Sequence, residues 1–167
     1  MLRDEALLQV IAHESAEDYS TWLLPAVARV LDAAGLSMAD VDGYAVAAGP
    51  GSFTGVRVAL TTVKALGEVH GKRIAAVSRL EALAVQAKSG YGYVAAFANA
   101  NRGQAFGAIY RRVEASIERM CEEMVIPPGK FVDTAAELAS GESISWVSTD
   151  AELVLQDPAW KARESLG

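Results

Sequence analysis

The segment Gly49-Pro50-Gly51-Ser52-Phe53-Thr54-Gly55 stands between a short run of small apolar residues, 44–48, and a stretch of helical periodicity from Val56 to about Glu68. A loop in that setting brings free backbone N–H groups and the positive end of a helix dipole to one point, which attracts anions. Gly49, Gly51 and Gly55 can adopt positive φ and let a phosphate or carboxylate approach closely, and Ser52 or Thr54 can cap the helix. A structural tight turn accounts for the same residues equally well. Two phosphate loops are excluded. Val56 stands where a Walker loop requires Lys, and Thr54 where the dinucleotide fingerprint requires its third glycine.

The helix after the loop carries two surfaces. Arg57, Thr61, Lys64 and Glu68 recur as a polar stripe, while Val58, Thr62 and Ala65 form a narrow stripe of small residues that lets a second helix come close. That second helix belongs either to this chain or to a partner. Little else points to catalysis. His13 and His70 lie far apart, neither in a ligand-spaced cluster, so no dedicated zinc or iron site is expected. No Ser-His-Asp or Cys-His arrangement assembles from them, and Asp18, Asp40 and Asp42 read as caps and turns. Cys121 is the single cysteine and the first residues form no leader pattern, which makes a reducing cytoplasm the expected compartment.

The elements that must position these residues belong to a chain of 167 residues, 51% hydrophobic and 22% charged, with a mean hydropathy of +0.18. That balance is too apolar for a disordered tail and too interrupted by charge for a membrane span. The formal charge of -6 excludes a stand-alone nucleic-acid binder, so any RNA contact runs through a partner. Residues 6–12 read as a strand after a tight turn at 3–5, a hairpin with almost nothing on its other side. Ser15 with Asp18 caps a helix reaching about Ala34, with Pro25 inside it and Gly35 as its stop. Residues 44–48 form a strand buried on both faces, and 73–77 form another.

Ser78-Arg79-Leu80-Glu81 is a capping box that starts a helix to about Lys88, closed by Gly90. Strands at 93–98 and 104–111 flank a turn at 99–103, and a third at 117–125 completes a meander before Pro127-Pro128-Gly129. Thr134 with Glu137 caps a short helix, 144–148 is a strand, and Asp150 caps a terminal helix broken by Pro158. The fold class is α/β in two lobes, 1–90 with the glycine loop and 91–167 as a partial second lobe, divided at 88–92.

The segment from Gly49 to Arg57, with Lys64-Ala65-Leu66 and Ser78-Arg79-Leu80-Glu81-Ala82-Leu83, resembles the TsaB (YeaZ) family. The similarity extends through Leu23-Leu24-Pro25 and through Ala100, Gly103 and Phe106, so it covers most of the chain. It implies an actin-like ATPase fold, that of sugar kinases, Hsp70 and actin, with two ribonuclease-H-like lobes. It further implies a subunit of the machinery that makes N6-threonylcarbamoyladenosine (t6A) beside the anticodon of tRNAs. Such a subunit has no catalysis of its own, pairs with the catalytic TsaD, and is joined by the small P-loop ATPase TsaE. The stripe Val58, Thr62 and Ala65, flanked by Arg57 and Lys64, is then the expected partner surface, facing TsaD or a second copy in a homodimer. No cofactor is expected to bind independently, ATP or ADP at the partner interface stays open, and tRNA is met only through the complex, in the cytoplasm and away from membranes.

The alternative is an enzyme of the same fold, a nucleotide-dependent transferase or a glycoprotease. TsaD carries an H-x-x-x-H metal motif in the segment that here reads Arg79 to Leu83, and neither arginine nor leucine ligates a metal. The resemblance also implies truncation at both ends, because the family opens with a strand bearing an Asp-Thr-Ser-like phosphate loop and extends further. In the turn, Asn99-Ala100-Asn101 and Gly103-Gln104 replace the family's Asp-Ala-Arg and Gly-Glu, exchanging charge for amide at Asn99, Asn101 and Gln104.

Overall fold

The computed structural model describes residues 1–4, 6–13, 17–87, 92–114, 116–158 and 160–161. Its contacts divide the chain into two compact units, 1–48 with 52–77, and 49–51 with 78–167.

In the first unit, β1 (Leu2–Arg3) and β2 (Ala6–Leu7) pair antiparallel, and the strand expected over 6–12 stops at Leu7. Beyond it the pairing loses its regular register, with Leu8 and Gln9 N–H both donating to the Met1 carbonyl. Helix α1 (Tyr19–Ala33) runs through Pro25, with Asp18 as N-cap making no side-chain capping bond. Ser15, expected as its cap, and Gly90, expected to close the helix after Ser78, lie outside the described residues. Gly35 takes a φ of 65° just past the end of α1, the left-handed turn open to glycine. Then β3 (Gly43–Ala47), α2 (Phe53–His70) and β4 (Arg73–Val77) form a parallel βαβ unit, with β3 and β4 in register from Gly43↔Arg73 to Ala47↔Val77. Gly67 lets α2 lie against the sheet, since a Cβ there would come within 2.6 Å of Ile74 Cδ1. The expectation that β3 is buried on both faces is corrected: Val46 is its only buried residue, because one strand and one helix cover it where a central strand needs two neighbours and two covering layers.

The second unit is built on a sheet in the order β7-β6-β5-β9, with β8 also pairing β6. The strands are β5 (Gly92–Asn101), β6 (Gln104–Val113), β7 (Ser116–Arg119), β8 (Met124–Ile126) and β9 (Ile144–Ser148). The single strand expected over 117–125 is two, because the chain pairs first with the C-terminal half of β6, Ile117 opposite Arg112, and then with its N-terminal half, Val125 opposite Phe106. Helix α3 (Arg79–Val85) covers one face with Leu80 and Ala84 on Val94, Ala96 and Tyr110, so it packs with the later strands and not with the lobe assigned to 1–90. Helix α4 (Pro128–Ala139) covers the other face with Phe131, Val132 and Ala135 on Tyr93, Ala95 and Phe97. The alternation of β5 thus sends odd residues to α4 and even residues to α3. Gly107 is required where it stands, since a Cβ there would lie 2.4 Å from the Phe131 ring.

Two expected caps are corrected. Thr134 sits inside α4, where its hydroxyl donates to the Lys130 carbonyl, because Pro128 at the first helical position already starts that helix. Asp150 does not cap α5 (Glu152–Leu155) with its side chain; its carboxylate accepts from Asn99 N–H and the Thr149 hydroxyl.

Candidate functional site

The glycine loop is divided between the units, Gly49–Gly51 belonging to the second and Ser52 onward to the first. In the second unit, Gly49 has a φ of 118°, open to glycine, and its carbonyl accepts from Arg79 N–H at 2.6 Å. The peptide bond from Gly49 to Pro50 is cis. In the first unit, Ser52 is the N-cap of α2: its carbonyl accepts from Val56 N–H at 2.9 Å, and its hydroxyl from Gly55 N–H at a long 3.4 Å. Thr54 is exposed on the first turn and makes no cap. Phe53 is 72% exposed, and the Arg57 guanidinium lies over its ring, 4.4 Å from the centroid. Arg57 is therefore engaged at the helix start.

Further along α2, Thr62 and Ala65 line an open groove of 300 Å³ together with Thr61, Leu66, Val69 and, from α1, Leu24. Of the expected stripe, Val58 and Thr62 are half-buried and Ala65 is exposed, with Lys64 exposed beside it, and Val58 lies outside the groove lining. The sequence pattern passed over Leu24 and Val69, which are 51% and 76% exposed. Val69 follows Thr62 and Ala65 at helical spacing, so the periodicity carried that signal; Leu24 becomes a neighbour only once α1 packs on α2.

The second unit gathers polar groups at the start of α3. The Ser78 hydroxyl accepts from Leu80 and Glu81 N–H at 3.1 and 3.2 Å and donates to the Glu123 carboxylate. Both lone pairs and the proton are thereby used, and a carboxylate is too weak a base to free a serine nucleophile, so this pair is a latch and not a catalytic dyad. Beneath it, the Tyr110 hydroxyl is buried without a hydrogen-bond partner. Burial is the main cause that pushes its phenol up to about 12, with the negative charges of Glu123 and Glu81 adding to the rise. In the first unit, hydrogen bonds from Ser37 hold the exposed Asp40 carboxyl below its usual value, with small help from Lys72 and Arg3.

Arg79 donates to the Thr149 hydroxyl at 2.9 Å, and Leu83 packs against the buried cluster under α3. Neither side chain offers a lone pair to a metal, and among the described residues no group of three or more His, Cys, Asp or Glu converges. In the turn, Asn99 Oδ1 accepts from Asn101 N–H at 2.7 Å, so the amide that replaces a carboxylate serves the hairpin's own backbone, with Asn101, Arg102 and Gly103 all at positive φ. Gln104 is exposed. No helix among the described residues is long and apolar enough to cross a membrane.

Residues 9–158 match the sequence model of the family described as TsaD, tRNA N6-adenosine threonylcarbamoyltransferase. The chain is 30% identical over 137 residues to the tRNA threonylcarbamoyladenosine biosynthesis protein TsaB of Bacillus subtilis (strain 168), covering 82% of this chain and 60% of that one. It is 52% identical over 62 residues to a tRNA N6-adenosine threonylcarbamoyltransferase of Methylobacterium sp. (strain 4-46), covering 37% of this chain and 18% of that one. Among solved structures, YeaZ from Pseudomonas aeruginosa superposes with a TM-score of 0.63 at 32% identity, over 76% of this chain and 60% of that one. The chain spans about 60% of the length of the Bacillus relative. Its fold is the actin-like, ribonuclease-H-like α/β fold.

Proposed function

Since this chain belongs to the TsaB (YeaZ) family, we propose that it serves as a non-catalytic subunit in the synthesis of threonylcarbamoyladenosine on tRNA, paired with a TsaD-like transferase. The observation that carries the pairing is the groove on α2, where Thr62, Ala65 and Val69 stand open beside Leu24 with small side chains at helical spacing. A helix of the partner laid there would bury these side chains, with Lys64 on the rim and Phe53 and Arg57 at the end of the same helix. In this proposal the TsaE-like ATPase joins the assembled pair, ATP or ADP binds only where both subunits contribute, and tRNA is held by the complex, which suits a chain of charge -6. The compartment is the cytoplasm. A homodimer through the same groove is the resting state when the transferase is absent.

A second function, catalysis by this chain itself, is favoured by one observation: its match to transferases over 62 residues at 52% identity. Arg79 and Leu83 at the positions of the metal motif weigh against it. The deciding experiment is copurification with the TsaD-like protein of the same genome, using Ala65→Arg. Ala65 is exposed, so the variant stays folded by circular dichroism, while an unpaired charge set into the interface weakens association by at least about 100-fold. A folded variant that still copurifies overturns the assignment of the groove, and turnover of threonylcarbamoyl-adenylate by the isolated chain overturns the non-catalytic role.

A further inference from the structure

The exposed apolar side chains of α1 and α2 are not scattered singly: Tyr19 and Leu24 on the first helix and Phe53 and Val69 on the second all face solvent. Leu24 and Val69 belong to the groove, whereas Phe53 stands in the first turn of α2, where a Cβ added at Gly55 would lie 3.9 Å from the Tyr19 ring. One turn along, the Arg57 guanidinium lies over the Phe53 ring. Arg57 makes no hydrogen bond or ion pair among the described residues, so its N–H donors are unspent. The charge around it is one-sided. The first turn of α2 contains no acidic residue, the helix dipole is positive at that end, Lys64 follows on the same stripe, and the first carboxylate of the helix, Glu68, comes about 16 Å further along the axis.

We infer that Phe53 and Arg57 form the anchor of the partner surface and fit one chemistry: a carboxylate side chain of the TsaD-like partner paired with the Arg57 guanidinium, beside an apolar side chain that closes over the Phe53 ring. This rests on the pairing proposed above and adds which end of α2 carries the affinity. An ion pair left in water contributes little, but the ring already shields one side of this guanidinium and a bound partner excludes water from the rest. The ring also holds the guanidinium in place beforehand, so less side-chain freedom is lost when the pair forms. Lys64 has neither advantage. It is exposed beside the groove, where a charge acts on association rate and salt dependence.

The test is calorimetric titration of the full chain with the purified TsaD-like protein of the same genome. Phe53, Arg57 and Lys64 are all exposed, so their variants stay folded by circular dichroism. Arg57→Gln should weaken binding at least about 30-fold, and Arg57→Lys at least about tenfold, because lysine restores the charge without the planar fork. Phe53→Leu keeps an apolar side chain but loses the ring, and should weaken binding about tenfold. Combined with Arg57→Gln it should cost less than the product of the two, since the ring acts through the guanidinium. Lys64→Gln should cost less than about threefold. If the parent binds and Ala65→Arg does not, while Arg57→Gln and Phe53→Leu bind as the parent does, the groove stands and the anchor is overturned. Arg57→Lys binding as tightly as the parent overturns it too. A parent chain that does not bind at all overturns the pairing itself, and the anchor with it.

Discussion

The two units use the same materials to different effect. Residues 93–98 of β5 are all buried, whereas no residue of β4 is buried and only Val46 is in β3, although alanines fill the centre of all three strands. Residue type does not separate them. β5 has β6 and β9 on its edges and α3 and α4 on its faces, while β3 and β4 have each other and α2. A run of small apolar residues becomes a buried strand only when both edges and both faces are supplied, and that supply is a property of the whole sheet. The first unit is accordingly open where it is proposed to bind, and the second is closed where it holds itself together.

The sharpest way to break this contrast is to truncate one side chain in each unit. Phe131→Ala removes a fully buried ring packed on Gly107, Phe97 and Trp146 and should cost about 3–5 kcal/mol in urea unfolding. Ile74→Ala, at a side chain 40% exposed, should cost about 1 kcal/mol. Equal losses would mean that the first unit is as tightly packed as the second.

A smaller effect follows from Tyr110. Its phenol titrates near 12 in the folded chain against about 10 when unfolded, so above pH 10 the unfolded chain loses the proton first. Stability should therefore be flat with respect to this group below pH 10 and fall by about 2–3 kcal/mol as pH rises through 12. Tyr110→Phe should abolish that part of the alkaline loss, and should not destabilise at pH 7 because the hydroxyl it removes has no partner. Chemical denaturation at pH 7, 10 and 11.5 checks both signs.

The smallest contrast lies in the caps. Ser78→Ala gives up the acceptor of two backbone N–H groups and the tie to Glu123, and should cost about 1–2 kcal/mol. Ser52→Ala gives up one contact at 3.4 Å and should cost about 0.5 kcal/mol or less. Thermal unfolding of the two variants ranks them, and a reversed order would place the firmer helix start in the first unit.

What the sequence made legible was local. The strand, glycine loop and helix around Ser52, the Ser78 cap and the hairpin about Asn99 to Gly103 are each specified within a dozen residues and are present, although of the box at Ser78 only the half in which its hydroxyl accepts from Leu80 and Glu81 N–H is formed. The start of α4 was misread because Pro127-Pro128-Gly129 carries the letters of a turn, whereas proline at the first helical position costs nothing. The strand expected over 6–12 is short because its regular pairing with β1 covers only Ala6 and Leu7, and the burial of β3 failed for the opposite reason to α4: pattern gives a segment its preference, but its ladder partner lies far off in sequence. The groove was half legible, its α2 side by spacing and its α1 side only after packing.

The pairing of β5 with β6 has a consequence in time. Its partners run from Asn101↔Gln104 out to Gly92↔Arg112, so the loop to be closed is minimal and the ladder can zip as soon as the segment exists. The ladder of β3 with β4 must instead wait for the whole of α2, from Gly43↔Arg73 onward. On a ribosome adding about 5–20 residues per second, the β5–β6 hairpin can pair almost on emergence, but the edge of β5 that takes Ile144–Ser148 stays open for some seconds more.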